Sequence, residues 1–209
     1  LKYAVSACLL TTLAGCGQSE SAGSKPAKQL APPEETGTLE VATRNGSTTY
    51  YLDRHENPIG PEYSLIARFA ESKGWQVNWT MYDSTAEVIK ALESGATHLA
   101  AAGLTHLPSR TERFTQGPAH TEITEQLVCH REMRPMPRTP DAMTGVGITV
   151  TADSSYVETL NGLATENEGI TFEEDDSRTT EILLSAVAEQ SLDCTVADSN
   201  IVQVMRRHF

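Results

Sequence analysis

Leu99-Ala-Ala-Ala-Gly-Leu-Thr-His-Leu-Pro-Ser-Arg-Thr-Glu112 is the stretch on which the reading of this chain turns. A short apolar run ends in Gly103-Leu104-Thr105, and Arg110 follows five residues after Thr105, just past Pro108. The run predicts a buried strand that stops at Gly103. Pro108 then opens a short helix at its favoured first position, where a missing N–H costs nothing. One hydroxyl, free backbone N–H groups and one guanidinium would thus meet at a common rim. A guanidinium fork matches the two oxygens of a carboxylate, so such a rim suits a carboxylate ligand. The same residues would also make an ordinary strand–helix corner with a surface arginine.

Outward from this stretch, from Thr38 onward, strand and helix signals alternate, which predicts α/β layers. Leu39–Thr43 reads as a strand. Glu62–Lys73 places Leu65, Ile66 and Phe69 on one helical face and stops at Gly74. Trp75–Trp79 is the next strand. Ser84-Thr-Ala-Glu87 has the capping-box pattern, and the helix Val88–Leu92 that it opens ends at Gly95. His98–Ala102 is then the strand of the opening stretch. Glu125–His130 forms a further strand, after which Pro135, Pro137 and Pro140 break regularity. A second series follows: Gly147–Thr151 as strand, a helix from Ser155 with Ser155 and Glu158 as its capping box, and Ile170–Glu173 as strand. Thr179–Ala188 is next as helix, Leu192–Ala197 as strand, and a last helix starts at about Ser199. The βαβαβ order occurs twice without a sequence repeat. The expectation is two α/β lobes, 38–124 and 125–198, with a strand crossing between them and 199–209 as the start of a return helix.

The 209 residues carry a formal net charge of −12 and no basic tract, which argues against nucleic acid as a partner. Lys2 precedes an apolar stretch, Ala4–Leu13, too short to span a bilayer. It ends in Leu13-Ala-Gly-Cys16, which resembles the lipobox of bacterial lipoproteins. That resemblance implies a signal peptide over 1–16 and lipidation at Cys16; a plain secretory signal with an incidental cysteine is the other reading. Gly17, rather than Asp, after the cysteine resembles outer-membrane sorting, so the expected location is the periplasmic face of the outer membrane. Leu1 in place of Met reads as a trimmed start or a non-ATG codon. Residues 17–37 are rich in Ser, Gly, Pro, Ala, Lys and Glu and are expected to form a disordered tether.

This pattern resembles the bilobed periplasmic solute-binding proteins of the polar amino-acid type, over about Thr38 to the C-terminus. The resemblance implies an α/β, type II periplasmic-binding-protein fold. In that family a strand ending Gly-x-Thr, with Arg five residues after the Thr, grips the ligand's α-carboxylate; the matching positions are Gly103, Thr105 and Arg110. An acid ending a later strand takes the ligand's ammonium, which corresponds to Asp198. The turn after the first strand of the second lobe supplies N–H groups near Ser154 and Ser155, and a helix N-terminus there would favour an anion on its own account. The family usually has an acid directly after the first strand, where this chain has Arg44. A cation in that place favours a ligand with additional carboxylates, unless Arg44 points outward or pairs with a nearby Glu.

Val41-Ala-Thr-Arg-Asn-Gly-Ser-Thr-Thr-Tyr-Tyr51, Leu99-Ala-Ala-Ala-Gly-Leu-Thr105 and Ala197-Asp-Ser-Asn-Ile-Val202 together are similar to the N-terminal domain of the membrane-bound lytic murein transglycosylase F family. In that family a solute-binding-like domain regulates a C-terminal lyase domain that cuts peptidoglycan strands with a catalytic glutamate. The implied ligand is an anionic muropeptide or stem peptide. The catalytic domain is expected to be absent here, since Phe209 falls inside the last helix, before the strands that return to the first lobe. No catalytic residue is assigned. Glu71-Ser72 and Glu93-Ser94 echo the family's Glu-Ser signature, but both sit at ends of surface helices.

No cofactor or metal is expected: His98, His106, His120 and His130 show no ligand spacing. Tyr50 and Tyr51 would either roof a ligand by stacking or pack after the first strand. In the resembled fold the Leu127–Arg131 strand lies antiparallel beside the Cys194 strand, which implies a disulfide between Cys129 and Cys194; two small buried thiols are the alternative. Two other functions fit the same residues. One is a stand-alone solute-binding lipoprotein of an amino-acid ABC transporter. The other is an enzyme on this fold, a dehydratase, with Asp198 and Glu112 as acid–base candidates.

Overall fold

The structure, a computed structural model, describes residues 30–207. The expected signal peptide, the lipidation at Cys16 and residues 17–29 of the expected tether lie outside that range. The remainder of the expected tether carries a one-turn helix, α1 (Pro33–Thr36), closed by Gly37 at φ 69°. His98 pins this segment to the first lobe. Its Nδ1 accepts from the Glu40 N–H at 3.0 Å, so Nε2 carries the ring proton and faces the Ala31 carbonyl at 3.0 Å.

The first lobe continues with β1 (Thr38–Arg44), the hairpin β2 (Tyr51–Leu52) and β3 (Pro58–Ile59), and helix α2 (Pro61–Lys73). Then come β4 (Gln76–Tyr82), α3 (Thr85–Glu93), β5 (Leu99–Ala100) and the short α4 (Pro108–Thr111). β1 is central, parallel to β4 on one side and β5 on the other. Alternation along β1 divides the core: Leu39 and Val41 pack with Ala70 and Ala101 on one face, and Ala42 packs with Val88, Ala91 and Ala102 on the other. Ser84 caps α3 as its sequence predicts, accepting from the Glu87 N–H at 3.2 Å, while Glu87 reaches back to the Asp83 N–H at 3.1 Å. β4 starts one residue later than the Trp75–Trp79 reading. The Trp75 N–H is used at the α2 C-terminus, where it donates to the Ala70 carbonyl at 2.9 Å beyond a left-handed Gly74.

The second lobe holds β6 (Glu125–Cys129), a 3-10 turn (Pro140–Met143), β7 (Thr149–Thr151) and α5 (Ser155–Glu166). It continues with β8 (Glu173–Asp175), α6 (Thr180–Ala188), β9 (Cys194–Asp198) and α7 (Ser199–Met205). β7 pairs parallel with β8, a parallel bridge from Ile148 to Cys194 joins it to β9, and β6 runs antiparallel along β9. The order β8-β7-β9-β6 thus repeats β4-β1-β5 with one strand added. Ile148, Val150, Tyr156, Leu160, Ile170 and Val196 fill the core between sheet and helices. Ile170 is 4% exposed and plugs this core after Gly169, which turns the chain at φ 102°; β8 therefore begins only at Glu173, later than the Ile170–Glu173 reading.

The Ser155–Glu158 capping box does not form. Ser154 is the N-cap and donates to the Thr151 carbonyl at 2.5 Å, and Ser155 turns to Thr105 of the first lobe at 3.3 Å. Glu158 accepts instead from Ser109 Oγ at 2.5 Å, also across the lobes.

Cys129 faces Cys194 across the β6–β9 ladder, and the two form a disulfide between residues 65 apart in sequence. Closing a loop of that length restricts the unfolded chain. The C129A/C194A double variant should lose about 2–4 kcal/mol of stability in urea unfolding while keeping its far-ultraviolet circular dichroism. An unchanged midpoint would show that the bond contributes nothing.

Candidate ligand-binding cleft

In open parallel sheets, ligands bind outside the carboxyl ends of the strands, where the strand order reverses. Both sheets reverse at their central strand, and the two sets of carboxyl ends open on one cleft of about 400 Å³. Arg44 ends β1, Gly103 and Thr105 follow β5, Ser154 and Ser155 follow β7, and Asp198 ends β9. All six line the cleft together with Arg110. The structure thus brings together seven of the eight ligand-binding residues read from sequence. Tyr50 is the exception: its expected place over a ligand gives way to packing within the first lobe. Its ring packs against Tyr63 and Trp79, with centroids 5.7 and 5.3 Å away, and it does not line the cleft. Glu112, one of the two acid–base candidates, is exposed and outside the cleft lining.

Gly103 takes φ +68°, a conformation that side chains disfavour, and a Cβ there would lie 3.2 Å from Thr49 Cγ2. The turn it allows aims its own N–H at Glu62 Oε2, 3.0 Å away. Glu62 is 7% exposed, and burial raises its carboxyl pKa against the pull of that N–H, His120 and Arg44. His120 Nε2 sits 3.7 Å from Glu62 Oε1.

Arg110, 7% exposed, donates from Nη1 to the Thr105 carbonyl and from Nη2 to the Asp153 carbonyl, both at 2.9 Å. Asp153 belongs to the turn after β7, so this guanidinium spans the lobes. The Ser155–Thr105 and Ser109–Glu158 hydrogen bonds lie beside it. On the other flank, Ser47 donates its N–H to Glu181 Oε1 at 3.3 Å.

Several charged atoms in the cleft have no partner. Among the described residues, Arg44 Nε and Nη1, Glu181 Oε2 and Asp198 Oδ1 are buried without a hydrogen bond. Asp198 is 8% exposed, and burial pushes its pKa up to about 6, aided by Glu125 and opposed by the Tyr156 hydroxyl and Arg44. Four acids (Glu62, Glu122, Glu181 and Asp198) line the cleft against two arginines, Arg44 and Arg110. Such a lining suits a ligand with ammonium as well as carboxylate groups, beyond the additional carboxylates that Arg44 favours.

Glu62 and Glu181 escaped the sequence reading because acids in a helix's first turn are commonplace partners of its dipole. Nothing in their spacing separates a cleft-facing acid from a solvated one. Among the described residues, no group of three or more His, Cys, Asp or Glu side chains could hold a metal ion, and no helix is long and apolar enough to cross a membrane.

Residues 39–201 match the family model of the bacterial extracellular solute-binding proteins, family 3. The chain is 56% identical, over 90% of its own length and 41% of the relative's, to membrane-bound lytic murein transglycosylase F 2 of Alkalilimnicola ehrlichii. It is 32% identical to membrane-bound lytic murein transglycosylase F of Shewanella pealeana, over 96% of this chain and 40% of that one. The chain therefore spans about two-fifths of the length of these curated relatives. Among solved structures, an ancestral arginine-binding protein bound to arginine superposes with a TM-score of 0.72 at 18% identity, covering 82% of this chain and 74% of the other. That likeness fixes the architecture as the type II fold of amino-acid binding proteins. With its strand-end cleft and a family match over most of its length, the chain belongs to the bacterial extracellular solute-binding proteins, family 3.

Proposed function

We propose that this chain is the ligand-sensing domain of a lytic murein transglycosylase and that its cleft binds a peptidoglycan stem peptide. The observation that carries this reading is the set of buried charged atoms without a partner among the described residues: Nε and Nη1 of Arg44 on the first lobe, Asp198 Oδ1 and Glu181 Oε2 on the second. They complement a ligand that is itself both acid and amine. The similarity to membrane-bound lytic murein transglycosylases supports the cell-wall setting. The cleft volume falls within the range of small-ligand sites, about 300–1,000 Å³, and suits a short peptide.

In this reading a ligand carboxylate lies between Arg44, the remaining N–H groups of Arg110, the Thr105 hydroxyl and the N-terminus of α5 at Ser154 and Ser155. The ligand's ammonium meets Asp198. Ligand and interlobe hydrogen bonds together favour closure about the segment that joins α4 to β6. Closure would bias a linked catalytic domain, and linkage makes that bias reciprocal: substrate on the catalytic domain would change the affinity of the cleft. The lipobox-like Leu13–Cys16 supports attachment through Cys16 to the outer membrane, on its periplasmic face.

Titration calorimetry of the purified domain with an alanyl-γ-glutamyl-lysine stem peptide tests the reading; a peptide that produces no binding heat sinks it. Arg44→Ala should weaken the complex by about 1.5–3 kcal/mol, roughly 10–150-fold in Kd, and Arg110→Ala by at least as much, since it also unties the lobes. Tyr50→Phe, outside the cleft, should bind as the parent does.

The raised pKa of Asp198 sets the pH dependence. The ammonium pair requires the ionised carboxylate, so affinity should be flat above pH about 6 and fall as pH drops through it, approaching tenfold per unit. Asp198→Asn should bind weakly and without that pH step. A wild-type profile flat from pH 7.5 to 5 would remove Asp198 from the site.

A further inference from the structure

The second lobe presents two carboxylates that the fold leaves open. Asp198 is more than nine-tenths buried, and its Oδ1 has no partner. Glu181 stands in the first turn of α6, which packs on both β9 and α7, so the two acids share one wall of the cleft. Its Oε1 is held by the Ser47 N–H of the first lobe at 3.3 Å, and its Oε2 is buried and unpartnered. The approach of that loop depends on Gly46, where a Cβ would lie 2.9 Å from Thr49 Oγ1 and 3.2 Å from Glu181 Oε1. Glu62 also accepts a backbone N–H, from Gly103 at Oε2, but its other oxygen faces His120 and is not left open.

A single α-amino acid motif balances only part of this set. Its carboxylate would answer Arg44 and its ammonium Asp198, and the buried Oε2 of Glu181 would be left without a partner. Burying an unpaired carboxylate is strongly unfavourable. An ammonium, with three donors and no acceptor, is the simplest group that would complete Glu181.

We propose that Glu181 is a specificity-determining residue: it forms a second ammonium subsite beside Asp198, so the cleft selects a stem peptide whose diamino-acid residue carries a free side-chain amine. This deepens the reading of the cleft as a stem-peptide site and rests on it. Glu181→Gln is the matched variant, because its amide oxygen can still accept from the Ser47 N–H while the charge is gone.

Calorimetry with two peptides, alanyl-γ-glutamyl-lysine and alanyl-γ-glutamyl-norleucine, separates the possibilities, since they differ by one terminal ammonium. The wild-type domain should bind the lysine peptide at least about tenfold more tightly. Glu181→Gln should bring the two affinities within about twofold by weakening only the lysine peptide, and the retained norleucine affinity reports an intact cleft. Equal affinities in the wild type, or a lysine preference that survives in Glu181→Gln, overturn the assignment of Glu181 and leave the cleft standing. If neither peptide binds, the stem-peptide reading itself fails and this proposal falls with it.

Discussion

Arg110 sets the geometry on which the cleft depends. Its buried guanidinium donates to the Thr105 carbonyl of its own lobe and to the Asp153 carbonyl of the other. Hydrogen bonds from a charged donor are worth about 1.5–3 kcal/mol each, and here two of them act on backbone carbonyls of the loops that follow β5 and β7. Ser155 to Thr105 and Ser109 to Glu158 reinforce the same line of contact. Glu158 and Asp153 also oppose the cost that burial imposes on the arginine's charge. The carboxyl ends of two separate sheets are thereby held face to face. A carboxylate bound beside Arg110 would join this clasp, which links occupancy of the cleft directly to its closure.

Once the lobes are so placed, the charges decide the ligand. Arg44 ends the central strand of one sheet, and Asp198 ends a strand beside the central strand of the other. Both carry buried atoms without partners, as does Glu181. Ions left unpaired in a low-dielectric site are costly, whereas a ligand that supplies the opposite charges converts the same atoms into short, charge-assisted bonds. On the proposed reading desolvation favours ligand binding, and the same burial raises the pKa of Asp198.

Much of this was legible in the chain. The Gly103–Thr105–Arg110 spacing and the serines at the start of α5 each sit where an abrupt local signal ends an apolar run, whereas Asp198 was marked only by the resemblance to the solute-binding proteins. Such signals survive folding because strand ends and helix starts are set locally. The Cys129–Cys194 pairing was within reach only through the resembled topology, since register between distant strands leaves no local mark. Tyr50 was ambiguous for a physical reason: its ring can pack on a ligand or on Tyr63 and Trp79, and only the placement of α2 and β4 decides. Ser155 and Glu158 matched a capping box, but partners across the lobes, Thr105 and Ser109, competed successfully for both side chains. Glu62 and Glu181 were hidden among ordinary first-turn acids until the two lobes were seen together.

The central claim is that the open charges of the two lobes are the two ends of one ligand site. A crystal structure of the domain with a bound stem peptide examines it most directly. The account predicts a ligand carboxylate at hydrogen-bond distance, about 3 Å, from the Arg44 guanidinium and a ligand ammonium at the same distance from Asp198 Oδ1. Peptide bound elsewhere, with Arg44 and Asp198 still unpartnered in the occupied protein, would contradict it.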